Sequence, residues 1–252
     1  MANIRTIQPS REIATHSFKA NGDDPVIVNK THIAYEDEMI NWHDGKRYRV
    51  KTIHPAVWRY ELTPSSRVLT TSFWINGNGT LIDDPVNGKT EYLEHEIILS
   101  PDERHAVMWS GKRCRLLQWP ERKETGTCGR LPLFFGTDRY RAVFAPDGKS
   151  FVSWIDGKAR VYRTDPFRLT SEFALSRGKV DALELSNDGW LANVDEERRL
   201  LQLWDGATGK LAGQYQYQTS VAALAFQPHG DRLLVSESDS LKVFALPERA
   251  TP

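Results

Sequence analysis

Residues 140–154 read YRAVFAPDGKSFVSW. Two apolar stretches flank Pro146-Asp147-Gly148, three residues that build a tight turn, because proline pre-sets φ and glycine accepts positive φ. The pattern returns, with variations, as VWRYELTPSSRVLTT at 57–71, EIILSPDERHAVMW at 96–109, VDALELSNDGWLANV at 180–194 and VAALAFQPHGDRLLVS at 221–236. Pro64, Pro101, Pro146, Asn187 and Pro228 mark the turn, at separations of 37, 45, 41 and 41 residues. A period of roughly 40 residues signals one supersecondary unit repeated along the chain.

Each period subdivides. After SFVSW come a second turn, IDG, and a third strand, KARVYRT, rich in β-formers. DPF turns the chain again into RLTSEFAL. Four short antiparallel strands of this kind make one blade of a β-propeller. The same division places blades at 25–54, 57–95, 96–135, 140–176, 180–218 and 221–248. In the first, Asn29-Lys30-Thr31 replaces the proline turn; in the second, INGNG is expected to lengthen the turn between second and third strands. The last blade holds three strands, and REIATHSF at 11–18 resembles RLTSEFAL at 168–175. It is expected to supply the fourth strand and close the ring, removing two exposed edges. The expected fold is all-β: a single six-bladed β-propeller over 1–252 with four-stranded antiparallel blades. Six blades of about 42 residues fill the chain, whereas seven would leave about 36 for each.

Composition excludes several function classes. The chain carries 33 basic and 33 acidic side chains, a formal net charge of zero. Nucleic-acid binding is therefore disfavoured, since it rests on many phosphate contacts. No apolar run approaches the roughly 20 residues of a membrane helix, and the N-terminus lacks the apolar core of a secretory signal. The expected location is cytoplasmic, with no membrane partner. Cys114 and Cys128 are too few for a disulfide framework and are expected to be reduced. No metal or cofactor is expected: no histidines share a metal-binding spacing, and there is no Gly-rich phosphate loop or nucleophile elbow. Asn76, Asn78, Asp83 and Asp84 lie in NGNGTLIDD, whose glycines and acids depart from a calcium loop.

Candidate contact residues cluster where second strands end. Tyr35, Trp74, Trp109 and Trp154 stand there in the first four blades, Asp195 and Glu237 in the last two. Exposed aromatics of this kind would anchor a protein partner, because they bury large area at low entropic cost. The alternative is that they pack between blades. Arg113 joins the candidates through a basic stretch comprising Lys112, Arg115, Arg122, Lys123 and Arg130. That stretch reads equally as a solvated hairpin whose charges discourage edge pairing.

Trp204-Asp205, ending LLQLWD, resembles the hallmark of the WD-repeat β-propellers. Trp42-His43-Asp44 looks like a degenerate copy, and Trp119-Pro120, Tyr162-Arg163 and Phe244-Ala245 occupy the place in other blades. The Gly-His pair of that family is absent, and its buried hydrogen-bond network is expected to be eroded. The resemblance implies a rigid, non-catalytic platform for another protein, engaged by the loop face around the central channel. It would act as an adaptor or scaffold subunit, or as a stoichiometric inhibitor of the immunity type. The alternative is a small-ligand-binding or hydrolytic propeller using the channel mouth, for which Asp195, Glu237 and His43 are the candidate titratable groups.

Overall fold

The recurring turn has a fixed hydrogen-bond pattern. The computed structural model describes residues 2–3, 17–18, 27–35, 37–51, 57–74, 77–110, 112–130, 140–155, 157–175, 180, 182–195, 197–219, 221–227, 232–237 and 240–247. In four of the turns the last residue donates its N–H to the carbonyl three residues back: Ser66 to Thr63 at 2.9 Å, Glu103 to Ser100 at 2.8 Å, Gly148 to Ala145 at 2.9 Å and Gly189 to Ser186 at 3.0 Å. That residue has φ of 65°, 53°, 70° and 82° respectively. Glycine adopts this conformation freely, whereas Ser66 and Glu103 do so at a cost of about 1–2 kcal/mol.

The turns join first and second strands of successive antiparallel sheets. The chain forms two compact units, Met1–Ile97 and Ile98–Pro252. The first unit contains the first blade (Ile27–Val28, His32–Tyr35, Glu38–Asn41, Arg47–Arg49) and the second blade (Val57–Leu62, Val68–Trp74, Gly77–Asp84, Lys89–Leu93). The third blade comprises Glu96–Leu99, His105–Ser110, Arg113–Gln118 and Lys123–Arg130. Tyr140–Phe144, Ser150–Ile155, Lys158–Arg163 and Arg168–Ala174 make the fourth. The fifth comprises Ala182–Leu185, Trp190–Asp195, Leu200–Asp205 and Lys210–Gln216. Val221–Phe226, Arg232–Glu237 and Leu241–Ala245 make the sixth. The fold is an all-β propeller of six blades, five with four strands and one with three among the described residues.

Burial falls from the middle of each blade outward. All six residues of Trp190–Asp195 are buried, as are five of the six in Ser150–Ile155. These second strands pack on both faces, so burial runs continuously along them and takes in the polar Ser153 and Asn193. Third strands are partly buried, and the fourth strands Arg168–Ala174 and Lys210–Gln216 are largely exposed. Two clusters join the fourth blade to its neighbours: Trp109, Leu116, Phe144 and Phe151 on one side, Val152, Trp154, Leu183 and Leu191 on the other. Each fully buried aliphatic or Phe side chain contributes about 1.5–3 kcal/mol.

Three details differ from expectation, and a fourth, the closing segment, lies largely outside the described residues. Trp74 pairs directly with Gly77, so INGNG extends the third strand of the second blade instead of its turn. Register places Leu117-Gln118 and Ile40-Asn41, not Trp119-Pro120 and Trp42-His43, opposite the second-strand residues that Trp204-Asp205 faces in the fifth blade. Cys114 and Cys128 form a disulfide. A bulge beside Cys114 leaves Cys128 as an extra residue in the fourth strand, which brings the two Cα atoms within 5.0 Å. Of the segment 11–18, residues 11–16 lie outside the described residues, and Ser17–Phe18 pair with Ala2–Asn3, using local backbone groups for a two-stranded sheet.

A buried polar pair anchors the third strand of the fifth blade. The Trp204 indole donates to Asn193 Oδ1 at 2.8 Å, and Asn193 is fully buried. In the fourth blade Tyr162 takes the tryptophan's place and donates to the Cys128 carbonyl at 2.9 Å. Burial raises the Tyr162 phenol above its ordinary pKa.

The turn geometry yields a stability test. A Cβ on Gly148 would lie 2.8 Å from Asp102 Oδ1, whereas one on Gly157, with similar φ of 76°, meets nothing within 4 Å. Gly157→Ala is expected to cost about 1 kcal/mol from backbone strain alone, and Gly148→Ala at least about 2 kcal/mol. Urea midpoints of the two variants measure the difference.

Candidate partner-binding face

The turns between second and third strands place the candidate residues. Trp109 and Trp154 are 3% and 4% exposed and lie in the inter-blade clusters. Strands packed on both sides leave their terminal aromatics no route to solvent, so these two are core residues. Tyr35 ends His32–Tyr35 opposite Glu38, and Trp74 ends Val68–Trp74; their side chains lie outside the described residues.

The two acids are buried as well, and their partners explain why. Asp195 accepts the Arg198 N–H at 3.0 Å and faces the Arg198 guanidinium at 3.6 Å, while its carbonyl accepts from the Tyr217 hydroxyl at 3.2 Å. Glu237 meets Lys242 at 2.7 Å and accepts from Thr219 Oγ1 at 3.3 Å. Lys242 also donates to the Tyr215 hydroxyl and lies 4.8 Å from that ring's centroid. Glu237 first, then Tyr215, holds the Lys242 ammonium above its usual pKa. Both acids therefore fasten a turn to the chain that follows it. His43, the third titratable candidate, is exposed and lies beside Trp42 with ring centroids 5.6 Å apart.

Among the described residues, these turns in the second unit present four cations and Glu197 to solvent. Arg113, Lys158, Arg198 and Arg199 are exposed there. Lys158 and Arg160 share Glu172 at 3.2 and 2.6 Å. The Arg160 hydrogen bond, then that of Lys158, draws the Glu172 carboxyl below its usual range. Arg113 stands across the strand pair from Arg130, also exposed.

Two of the residues weighed for calcium, Asp83 and Asp84, are engaged in hydrogen bonds within the second blade or with the chain just before it. Asp83 is buried and accepts from the Lys51 N–H and the Thr90 hydroxyl, both at 2.8 Å. Asp84 accepts twice from Asn87 at 2.9 Å. Among the described residues no three His, Cys, Asp or Glu side chains gather in a metal-holding group, and no helix is long and apolar enough to cross a membrane.

One residue escaped sequence reasoning. Glu184, between Leu183 and Leu185 on the first strand of the fifth blade, pairs across the sheet with Ala192. Burial pushes its carboxyl up to about 7. The cadence does not single it out: counted back from the turn, the matching residues are Glu61, Ile98, Val143 and Ala225.

No family model and no curated protein sequence matches the chain. Solved structures do. The β-propeller domain of Myceliophteria thermophila Cps50 (Swd1) superposes with a TM-score of 0.65 at 15% identity, covering 86% of this chain and 80% of that one. At that identity the likeness concerns the fold, a β-propeller.

Glu184 makes stability depend on pH in a defined sense. Its folded pKa of about 7 exceeds the ordinary 4.5, so the folded state favours the neutral acid. The associated stability is complete below pH 4.5 and is lost as pH rises through 7. Glu184→Gln removes this dependence. Thermal melts should show the variant more stable than the native chain by about 3 kcal/mol at pH 8.5 and level with it at pH 4.

Proposed function

We propose that the chain is a non-catalytic protein-interaction module, an adaptor or scaffold subunit or a stoichiometric immunity-type inhibitor, that engages one partner protein through the turns between second and third strands. The observation that carries this reading is the division of labour in those turns. Asp195 and Glu237 are buried and hydrogen-bonded, which fixes the turns, and among the described residues Arg113, Lys158, Arg198 and Arg199 face solvent there with Glu197. Rigidly held polar groups on a sheet scaffold suit recognition, because little ordering entropy remains to be lost on binding. Affinity purification from the native cell tests it. A single partner at one-to-one stoichiometry supports the inhibitor form, a larger assembly the adaptor form. A chain that purifies alone and binds no protein in extract overturns both.

One observation favours the small-ligand or hydrolytic alternative: a carboxyl with pKa near 7 is poised for acid–base work. A hydrolytic activity abolished by Glu184→Gln would establish that alternative in place of the interaction module.

Cytoplasmic location belongs to the proposal, and the Cys114–Cys128 bond sits against it, because disulfides are rare in the reducing cytosol. Alkylation of thiols in intact cells followed by mass measurement decides the matter. Two alkyl groups per chain support the cytoplasm, and none places the protein in an oxidising compartment.

A further inference from the structure

Arg113 and Arg130 stand directly opposite each other at the end of the third blade's outer strand pair. Both are exposed. Arg115, the next side chain on that side of its strand, has Glu124 at 3.5 Å. Among the described residues, no carboxylate meets Arg113 or Arg130. Like charges directly opposite destabilise a strand pair. An exposed cross-strand arginine pair is thus an expense to the fold that an anionic group from outside would remove.

The fold holds this pair where it is. Cys114 follows Arg113, Cys128 lies two residues before Arg130, and the two sulfurs are bonded. The strand ends therefore cannot splay apart under the repulsion. Between Cys128 and Arg130 sits Gly129, with φ of 135°. Arg160 Nη1 lies 3.6 Å from where a Cβ on that glycine would be, with its guanidinium engaged by Glu172. The corner is thus a covalently fixed edge with two uncommitted guanidinium forks and a third close behind. Cross-strand neighbours stand about 5 Å apart, within reach of one carboxylate or two adjacent ones, and the planar arginine fork binds a carboxylate through two parallel hydrogen bonds.

We propose that this corner is the receptor for an acidic segment of the partner protein, with Arg113 and Arg130 binding its carboxylates. The proposal rests on the interaction-module reading and names the chemistry of the partner. A protein segment suits the corner better than a nucleic acid. Binding along a phosphate backbone draws on a long track of cations, whereas here Glu124 and Glu172 interrupt the basic residues and the whole chain is formally neutral.

The test uses the full chain and fluorescence anisotropy with three labelled probes: a short oligoglutamate peptide, its oligoglutamine counterpart and a duplex oligonucleotide. The oligoglutamate should bind alone among the three, more weakly as salt increases. Arg113→Gln with Arg130→Gln should weaken it at least about tenfold, the loss of one charge-assisted hydrogen bond or more. Arg122→Gln with Lys123→Gln, in the turn at the opposite end of the same strands, should leave it unchanged. The double arginine variant should melt no lower than the native chain, since a repulsion is relieved, which separates lost recognition from lost folding. Equal oligoglutamate binding by the double variant overturns the proposal, as does duplex binding in preference to the peptide. If a native partner co-purifies and the variant retains it, the interaction module stands and this corner falls. If no partner is found and oligoglutamate still binds through the two arginines, the corner stands and the module reading falls.

Discussion

The short turn between first and second strands is the constraint on which the rest of the structure depends. Its closing residue must adopt positive φ, and its backbone must point one way, because successive turns touch. The Asp147 N–H donates to Asn187 Oδ1 at 2.8 Å, a contact spanning one repeat. Asp102 sits against Gly148 in the preceding blade. In the first unit, Asn29 Nδ2 donates to the Thr63 carbonyl at 2.7 Å, and His32 Nδ1 lies 2.8 Å from Ser66 Oγ. The turn therefore does two things at once. It sets the register of the buried second strand within its blade, and it fixes the rim contact between one blade and the next.

This dual role explains what the sequence reveals. Pro-Asp-Gly and Asn-Asp-Gly are legible because positive φ has few chemical solutions. Where Asn29-Lys30-Thr31 takes over, the Asn29 side chain supplies the hydrogen bonds instead, accepting from the N–H groups of Thr31 and His32 at 2.8 and 2.7 Å. Strand count follows from turn count, so the blades are readable. Bulges are not: the extra residue at Cys128 has no local signature, and without it the two cysteines would lie on opposite faces of the strand. The shift of the hallmark position from Trp119 to Leu117 is a matter of pairing with the second strand, which runs unbroken from His105–Gln118 to Ser110–Arg113. Pairing register decides equivalence, and a tryptophan in the following turn mimics the motif without occupying its place.

The contact face was legible only in part, for a related reason. Aromatic residues at strand ends can serve a core or an interface, and composition cannot choose between them. Sandwiching chooses. A second strand covered on both sides consigns Trp109 and Trp154 to the core, and the buried acids one position further along the strand, Asp195 and Glu237, are satisfied by cations three and five residues later, Arg198 and Lys242. Arg113 differs because its strand lies farther out, where one face meets solvent.

Glu184 and the arginine corner are opposite departures from what a blade needs. One places a carboxyl where three blades carry Ile98, Val143 and Ala225 and the second carries Glu61; the other sets like charges together where opposite ones would stabilise. A fold built by repetition offers an internal comparison for each, since neighbouring blades show what the position requires. Arg163 faces Arg168 at the other end of the fourth blade's outer pair, so exposed arginines opposite one another are tolerated elsewhere, without a covalent clamp. What distinguishes Arg113 and Arg130 is the adjoining Cys114–Cys128 bond. A solvated edge has no need to be held in one geometry, because its charges spread apart freely in water. A covalent clamp beside a repulsive pair is consistent with a surface whose spacing matters, and spacing matters when something else must fit it.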